Sequence, residues 1–282
     1  MKYAVRMFVS VELAARIERA EARLSASCGR AVLAGKAPRD AFVEEVSGGV
    51  AVYAGPSSPM NKMIGVGFGP LPSDEQLQAV EEKLSSRSSP LQAEVSTLAD
   101  PELGARLTER GYLLQGFEDV LGRTIAPDDV NPFIDDAIQI AAMKPDDARW
   151  VDVLVTSFSN PDQQGVPAAA LPPGDALERA LLDCTDVAGF RRYSACVGGQ
   201  LAGVATMRLD DGLAQFCGTA TLPTFRRRGI QGAFLRRRLA DAFHDGCTLA
   251  VMTAQPGSKS EQNGYKQGFT LLYSRALLVK NP

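Results

Sequence analysis

The sequence predicts an α/β protein of the α+β kind, built as two similar halves that each hold a sheet flanked by helices. Three observations lead there. The chain has 282 residues, enough for two domains of ordinary size. Short apolar runs bounded by turn residues alternate with segments of helical period along its length. The two halves also end alike. "ERGYLLQGFEDVLGR" and "YKQGFTLLYSRALLVK" both read short helix, glycine, aromatic residue, long strand, and Gly111 and Gly268 stand half a chain apart. A duplication divided at the "APDDVNP" linker gives domains 1–130 and 131–282.

The first helix is expected over about Val11–Leu33, with Leu13, Ile17, Ala20 and Leu24 on one face. "GGVAVYAG" and "KMIGVGFG" read as strands, and Gly55, Pro56 and Pro59 mark the turn between them. Ser73 opens a helix, with Gln76 at capping-box distance. "PLQAEVSTL" is a strand, a short helix ends at Gly111, and "YLLQGFEDVLGRTI" is a long strand. Beyond the linker, "AIQIAAM" is a strand and "DDARWVDVLVTSF" a helix opened by Asp146. The loop Asn160–Gly174 is long for a connector and fits a substrate lid. "DALERALLDCTDV" is a helix. "RRYSACVGGQLAGVATMRL" and "GLAQFCGTATL" supply three antiparallel strands, with a tight turn at Asp210–Gly212. A helix to about Gly246, the strand "TLAVMTA", the short helix "SKSEQNGYKQ" and the strand "FTLLYSRALLVK" complete the chain.

Composition limits the function classes. The net charge is −3 and the sequence pI about 5.4, so the whole protein is no nucleic-acid polycation and any anion site is local. Five cysteines without a C-x-x-C pair, and a single histidine, His244, argue against a metal centre. An odd cysteine count without a framework fits a reducing compartment. No apolar run approaches a membrane span, and Arg6 and Glu12 interrupt any signal-peptide core. The expectation is a soluble cytoplasmic protein with no nucleic-acid or membrane partner. The sequence leaves the oligomeric state open, a homodimer included.

One stretch concentrates chemistry. In "TATLPTFRRRGIQGAFLRRRLADAF" a strand breaks at Pro223, three arginines follow, and a helix starts at Gly229. A helix start leaves main-chain amides without partners and carries partial positive charge. Gly229 and Gly232 let another molecule approach the backbone closely. The amides of Arg227–Gly232 therefore form a nest for phosphate oxygens. The dipole contributes ~0.3–1 kcal/mol, and each hydrogen bond to a charged group roughly 1.5–3 kcal/mol. Converging amides outweigh the dipole, and the arginines steer and clamp. Neither a nucleoside-triphosphate P-loop nor a G-x-G-x-x-G dinucleotide fingerprint is present.

Strand, Pro223 and "FRRRGIQGAFL" together resemble the acyl-CoA diphosphate loop, [QR]-x-x-G-x-[GA], of the GNAT superfamily of N-acyltransferases. Arg226, Arg227, Arg228, Gly229, Ile230 and Gln231 fall on that loop. Gln231 replaces the usual small residue, and Gly232 follows it. "SKSEQNGYKQGF" resembles the family's second cofactor segment, with Ser260 and Asn263 as candidate contacts. The resemblance covers about Ala137–Lys280. It implies GNAT-like halves, each a mixed, mostly antiparallel twisted sheet flanked by helices, with the loop-bearing half catalytic. It implies acetyl-CoA or another acyl-CoA as cofactor, and pantetheine pairing with the main chain at Thr219, Ala220 and Thr221. The first strand of the splayed pair would be the one before the loop, and its neighbour "TLAVMTA".

The implied reaction is direct attack by an amine, on a small molecule first and on a protein second. A non-catalytic acyl-CoA-binding regulator is the rival. The family's catalytic Glu position is occupied by Gln215, which could orient water. Its Tyr position is Gly264, so Tyr265 next to it, or Tyr273, is the candidate acid. The first half has no such loop, because Asp74 and Glu75 at the matching helix start repel phosphate. It reads as a degenerate GNAT-like domain.

Blander roles stand beside these. Arg236 and Arg237 point outward from the stripe Leu235, Leu239, Ala242 and Phe243. His244 suits a helix end, Cys217 a small core position, and Trp150 and Phe158 the core.

Overall fold

The computed structural model describes residues 8–35, 39–162, 166, 172, 175–187 and 189–282. Its elements run α1 (Val11–Ala34), β1 (Phe42–Val46), β2 (Gly49–Tyr53), β3 (Lys62–Ile64), α2 (Asp74–Ser85), β4 (Leu91–Ser96), α3 (Pro101–Glu109), β5 (Leu113–Thr124), β6 (Ile138–Met143), α4 (Arg149–Ser159), α5 (Ala176–Asp183), β7 (Phe190–Val197), β8 (Gln200–Asp210), β9 (Leu213–Thr221), α6 (Ile230–His244), β10 (Leu249–Ala254), α7 (Lys259–Lys266) and β11 (Thr270–Lys280). Among the described residues no helix is long and apolar enough to cross a membrane.

The chain forms two compact units. The described residues of Val9–Glu118, Pro172–Ala188 and Tyr273–Pro282 make the first, here the N-unit. Those of Asp119–Leu171 and Gly189–Leu272 make the second, the C-unit. The 130/131 boundary suggested by the linker falls inside the C-unit.

In the N-unit, β1, β2 and β3 pair antiparallel, β3 and β4 pair parallel, and β4 pairs antiparallel with β11 through Leu91–Ser96 and Arg275–Lys280. Helix α2 links the parallel pair. Its buried residues Leu77, Val80 and Leu84 join Met63, Ala93, Leu103, Leu107 and Tyr112 in one core. Ser10 caps α1, accepting from the Leu13 amide at 3.1 Å. Gly29 lets α1 lie close to the sheet, since a β-carbon there would stand 2.6 Å from Val43 and 2.8 Å from Val52.

The C-unit repeats that order. β6, β7, β8 and β9 pair antiparallel, β9 and β10 pair parallel, and β10 pairs antiparallel with Asp119–Thr124 of β5. Helix α6 links the parallel pair and buries Ile230, Ala233, Phe234, Leu235 and Leu239 against Tyr193, Met207, Phe216 and Phe269. The strand that closes each unit's sheet thus comes from the other half of the sequence. The sheets are mixed and mostly antiparallel, as the sequence predicts.

Three local expectations need correction. The sequence pattern gives no strand at β1, because Glu44 and Glu45 break the apolar alternation on this half-exposed strand. Helix α4 starts at Arg149 rather than at Asp146. Its N-cap, Ala148, offers no side-chain bond, while Asp147 accepts from the Arg149 amide at 3.1 Å. The linker holds a single helical turn, Pro127–Asp129. Most of the loop Asn160–Gly174, suggested as a lid, lies outside the described residues.

Candidate functional site

The C-unit parts two of its strands. β9 and β10 pair from Leu213 and Leu249 only as far as Phe216 and Met252. Beyond that, β9 continues beside β8 to Thr221, and β10 continues beside β5 to Ala254. Where the gap opens, β9 carries a bulge: its register against β8 shifts between Val204 and Thr206. Gly218 sits in this bulge at φ +51°, and a β-carbon there would approach Thr206 Oγ1 to 3.2 Å. That hydroxyl accepts from Trp150 Nε1 at 3.0 Å. Arg192 stacks 4.8 Å from the Trp150 ring. Trp150 is a core aromatic, as its pattern suggests, and it also braces the bulge.

The other face of the bulge is braced by an arginine. Arg238 on α6 is 1% exposed. It donates to Thr206 O at 2.8 Å and to Phe234 O at 3.2 Å, and its guanidinium lies 4.4 Å from the Phe216 ring. Burial lowers its pKa to about 10, so it stays charged at neutral pH. The "RRR" of α6 is therefore not all surface. The 3.6-residue period places Arg238 with Phe234, Leu235 and Ala242 on the inner face. Gln215, suggested as a water-orienting residue, is also buried, and its side-chain oxygen accepts from Arg208 Nη1 at 2.5 Å.

Pro223 starts a single helical turn, Pro223–Phe225, after which the chain turns sharply. Arg227 has φ +64° and Gly229 φ +80°, both left-handed. Among the described residues, the main-chain amides of Arg227 to Gly232 donate to no protein acceptor, and α6 has no side-chain cap. Arg227, Arg228 and Gly229 are exposed.

The three arginines divide their work. Arg226 Nη2 reaches back to α4, donating to Ser157 O at 3.2 Å and to Asn160 O. Arg227 stands 3.6 Å from Asp162, and Arg228 lies 5.3 Å from the Phe225 ring. A cavity of about 580 Å³ opens beside the loop, lined by Ser159 to Asp162, Pro223, Arg226 and Arg227.

The turn is tied to α7 by three residues that the motif singles out. Asn263 Nδ2 donates to Gln231 Oε1 at 2.8 Å, and Gln231 Nε2 to Ser260 Oγ at 3.4 Å. Gln231 thus bridges two helices where the motif has a small residue. Thr219 and Thr221 are half-buried and Ala220 is buried. Ala220 and Thr221 pair with Val204 and Gly203 of β8, away from the gap.

Tyr265 is 43% exposed and donates to Glu261 Oε1 at 2.5 Å. Partial burial, then that carboxylate, pushes its phenol up to about 12. Glu261 is buried and also accepts from the Gly257 amide at 2.5 Å. Sequence reasoning passed over Glu261, although Ser258-x-x-Glu261 is a capping-box spacing that marks it. Tyr273 belongs to the N-unit, where its hydroxyl donates to buried Glu18 at 2.7 Å. Among the described residues no group of His, Cys, Asp or Glu could hold a metal ion.

The matching position in the N-unit is closed. Helix α2 follows β3 as α6 follows β9, but Ser73 accepts from the Gln76 amide at 3.2 Å and Gln76 returns a bond to the Ser73 amide at 2.9 Å. Asp74 pairs with Arg106 at 2.9 Å. The capping box thus meets the Gln76 amide, and the first turn of α2 is acidic.

Residues 155–269 match the acetyltransferase (GNAT) family, which places a GNAT domain in the second half of the sequence. No curated protein matches the chain. Among solved structures, a GCN5-related N-acetyltransferase from Kribbella flavida is 18% identical, with a TM-score of 0.63 and 96% of each chain covered. One from Sphaerobacter thermophilus is 15% identical with a TM-score of 0.58, over 95% of this chain and 93% of that one. A tandem GNAT protein from the clavulanic acid biosynthesis pathway is 12% identical with a TM-score of 0.56, over 97% of both chains. At such identities the likeness is one of fold, and it extends over nearly the whole chain. The family match supports an acyl-transfer function.

Proposed function

We propose that the GNAT domain is an acyl-CoA-dependent N-acyltransferase, with acetyl-CoA as donor and a small-molecule amine as acceptor. One observation carries the reading: among the described residues, six successive amides, Arg227 to Gly232, donate to no protein acceptor at a helix start beside two parted strands. Their chemistry suits a diphosphate. The stretch Thr219–Thr221, no longer paired with β10, offers main-chain groups to a pantetheine arm. Gln231, Ser260 and Asn263 stiffen the wall between α6 and α7. When bound, the coenzyme supplies an activated acyl thioester. The protein's part is to hold it, exclude water and provide amide donors where charge develops.

The acceptor must lose a proton. For an amine of pKa ~10.4 that costs about 4–5 kcal/mol at neutral pH. Tyr265 keeps its own proton there, so it acts as a donor, with the Glu261 carboxyl hydrogen-bonded behind it. The N-unit is the degenerate partner: the start of α2 is capped and acidic where the start of α6 is open and flanked by arginines.

The test is release of free CoA from acetyl-CoA across a panel of amines. Amine-dependent release by wild-type protein supports the reading, and failure to bind acetyl-CoA at all refutes it. A second reading, a non-catalytic acyl-CoA-binding regulator, is favoured by the engagement of the suggested catalytic groups. Gln215 is held by Arg208, Tyr273 by Glu18, and Tyr265 by Glu261. Tight binding without turnover on any amine would select it.

A further inference from the structure

Two cysteines outside the acyl-transfer reading meet in the N-unit. Cys28 is buried on α1, and Cys184 is half-buried at the end of α5. Their sulfurs lie 3.3 Å apart although 156 positions separate them in sequence. The other three cysteines, Cys196, Cys217 and Cys247, belong to the C-unit. A disulfide bond is about 2.05 Å long, so the pair stands roughly 1.3 Å from bonding distance, within reach of side-chain rotation. Beside it, Arg39 and Asp183 form a partly exposed ion pair. Pairs of that kind hold weakly. A covalent link at Cys184 would add a far stronger tie at the same place.

We propose that Cys28 and Cys184 form a reversible disulfide that tethers residues 175–187 to α1. The oxidant is a small-molecule disulfide such as oxidised glutathione. The Cys184 thiolate, the more accessible of the two, attacks one sulfur of that disulfide. A mixed disulfide forms and one small thiol leaves with a proton. The Cys28 thiolate then attacks the Cys184 sulfur, and the second small thiol leaves with the second proton. The protein loses two electrons and two protons, and the small disulfide gains them. Both residues are thiols in a reducing milieu, and a rise in the disulfide fraction closes the link. Closing a loop this long restricts the unfolded chain more than the folded one.

The full-length protein is incubated with oxidised glutathione, its remaining thiols are blocked, and peptides are mapped with and without reduction. The expected result is one linked peptide pair, Cys28 with Cys184. The whole-chain mass should fall by two hydrogens, and the melting temperature should rise until dithiothreitol is added. In Cys28→Ser the glutathione adduct should persist on Cys184. Blocking reagent on both Cys28 and Cys184 after oxidation of the wild type would overturn the proposal. So would a link that joins other cysteines, or a linked chain that melts no higher. An adduct on Cys28 in Cys184→Ser would overturn the order of attack.

Discussion

Gly229→Glu and Gly229→Gln form a matched pair that isolates the charge of the amide turn. Gly229 sits at φ +80° and ψ 0°. Any side chain there carries left-handed strain of ~1–2 kcal/mol. Space is not limiting, because a β-carbon would have only Ile138 Cδ1 nearby, at 3.9 Å. Strain and volume therefore cancel between the two variants, and charge does not. A carboxylate ~4 Å from a phosphate charge costs about 1 kcal/mol when fully screened by water and about 4 kcal/mol in the environment of a protein surface pair. Glutamate should therefore bind CoA roughly five-fold to a thousand-fold more weakly than glutamine. Calorimetric titration with CoA at two ionic strengths is the assay. The gap between the variants should narrow in high salt, because the Debye length falls from about 8 Å at physiological strength to about 3 Å at 1 M. Equal affinity for the two variants, or wild-type affinity in both, would refute the diphosphate assignment.

Three other perturbations test the surroundings. Arg238→Met keeps the stem but leaves the Thr206 carbonyl without its guanidinium donor and removes the extra bond to Phe234 O. Chemical denaturation should show a loss of about 1–3 kcal/mol, and unchanged stability would deny the brace. Glu261→Gln removes the charge that holds the Tyr265 proton. The tyrosinate absorbance assigned by difference from Tyr265→Phe should then titrate below the wild-type value of about 12, toward 10, and an unmoved titration would exclude the pairing. Glu18→Gln tests a buried charge. Burial raises the Glu18 carboxyl above its ordinary 4.5, even with Arg275 and Tyr273 bonded to it. The folded state thus binds this proton more tightly than the unfolded chain, and the stability it confers is lost as pH rises through the folded pKa. Glutamine cannot titrate, so the variant should gain on wild type as pH rises above the ordinary carboxylate range. A gap that stays constant or shrinks in urea melts would contradict this.

What could be read from the sequence is what short-range chemistry fixes. The capping box at Ser73 and Gln76, the helix from Val11, and the break at Pro223 followed by Gly229 each depend on residues within one turn of one another. β1 escaped notice because Glu44 and Glu45 mask it, and strand pairing rather than local pattern secures it. The crossing-over of β5 and β11 was out of reach for the same reason: nothing in Thr270–Lys280 itself states that its end will lie beside Leu91–Ser96. The open helix start after Arg228 was legible because a nest is made of consecutive amides. The engagement of the suggested catalytic side chains was not, because a side chain's availability is set by cross-strand partners such as Arg208 for Gln215. Arg238 lay between these cases. Helical phase alone puts it inside, but three arginines in a row look like surface.

The proposed division of labour between the units can be tested only in the intact chain. An isolated 1–130 fragment would lack Tyr273–Pro282, leaving the edge of β4 unpaired, a state that invites aggregation. Absence of CoA binding by that fragment would then say nothing about α2. In the full chain the two helix starts give a count instead. If only the open start of α6 takes the diphosphate, wild type titrates with one CoA per chain, and that one site weakens in Gly229→Glu. If α2 also bound, wild type would take two and the variant would keep one. The Ser73–Gln76 box already engages the Ser73 and Gln76 amides, and Asp74 and Glu75 set two negative charges at the helix start. A second CoA per chain in wild type that keeps its affinity in Gly229→Glu would therefore refute both the degenerate reading of the N-unit and the principle behind it, that an anion binds where a helix start is left open.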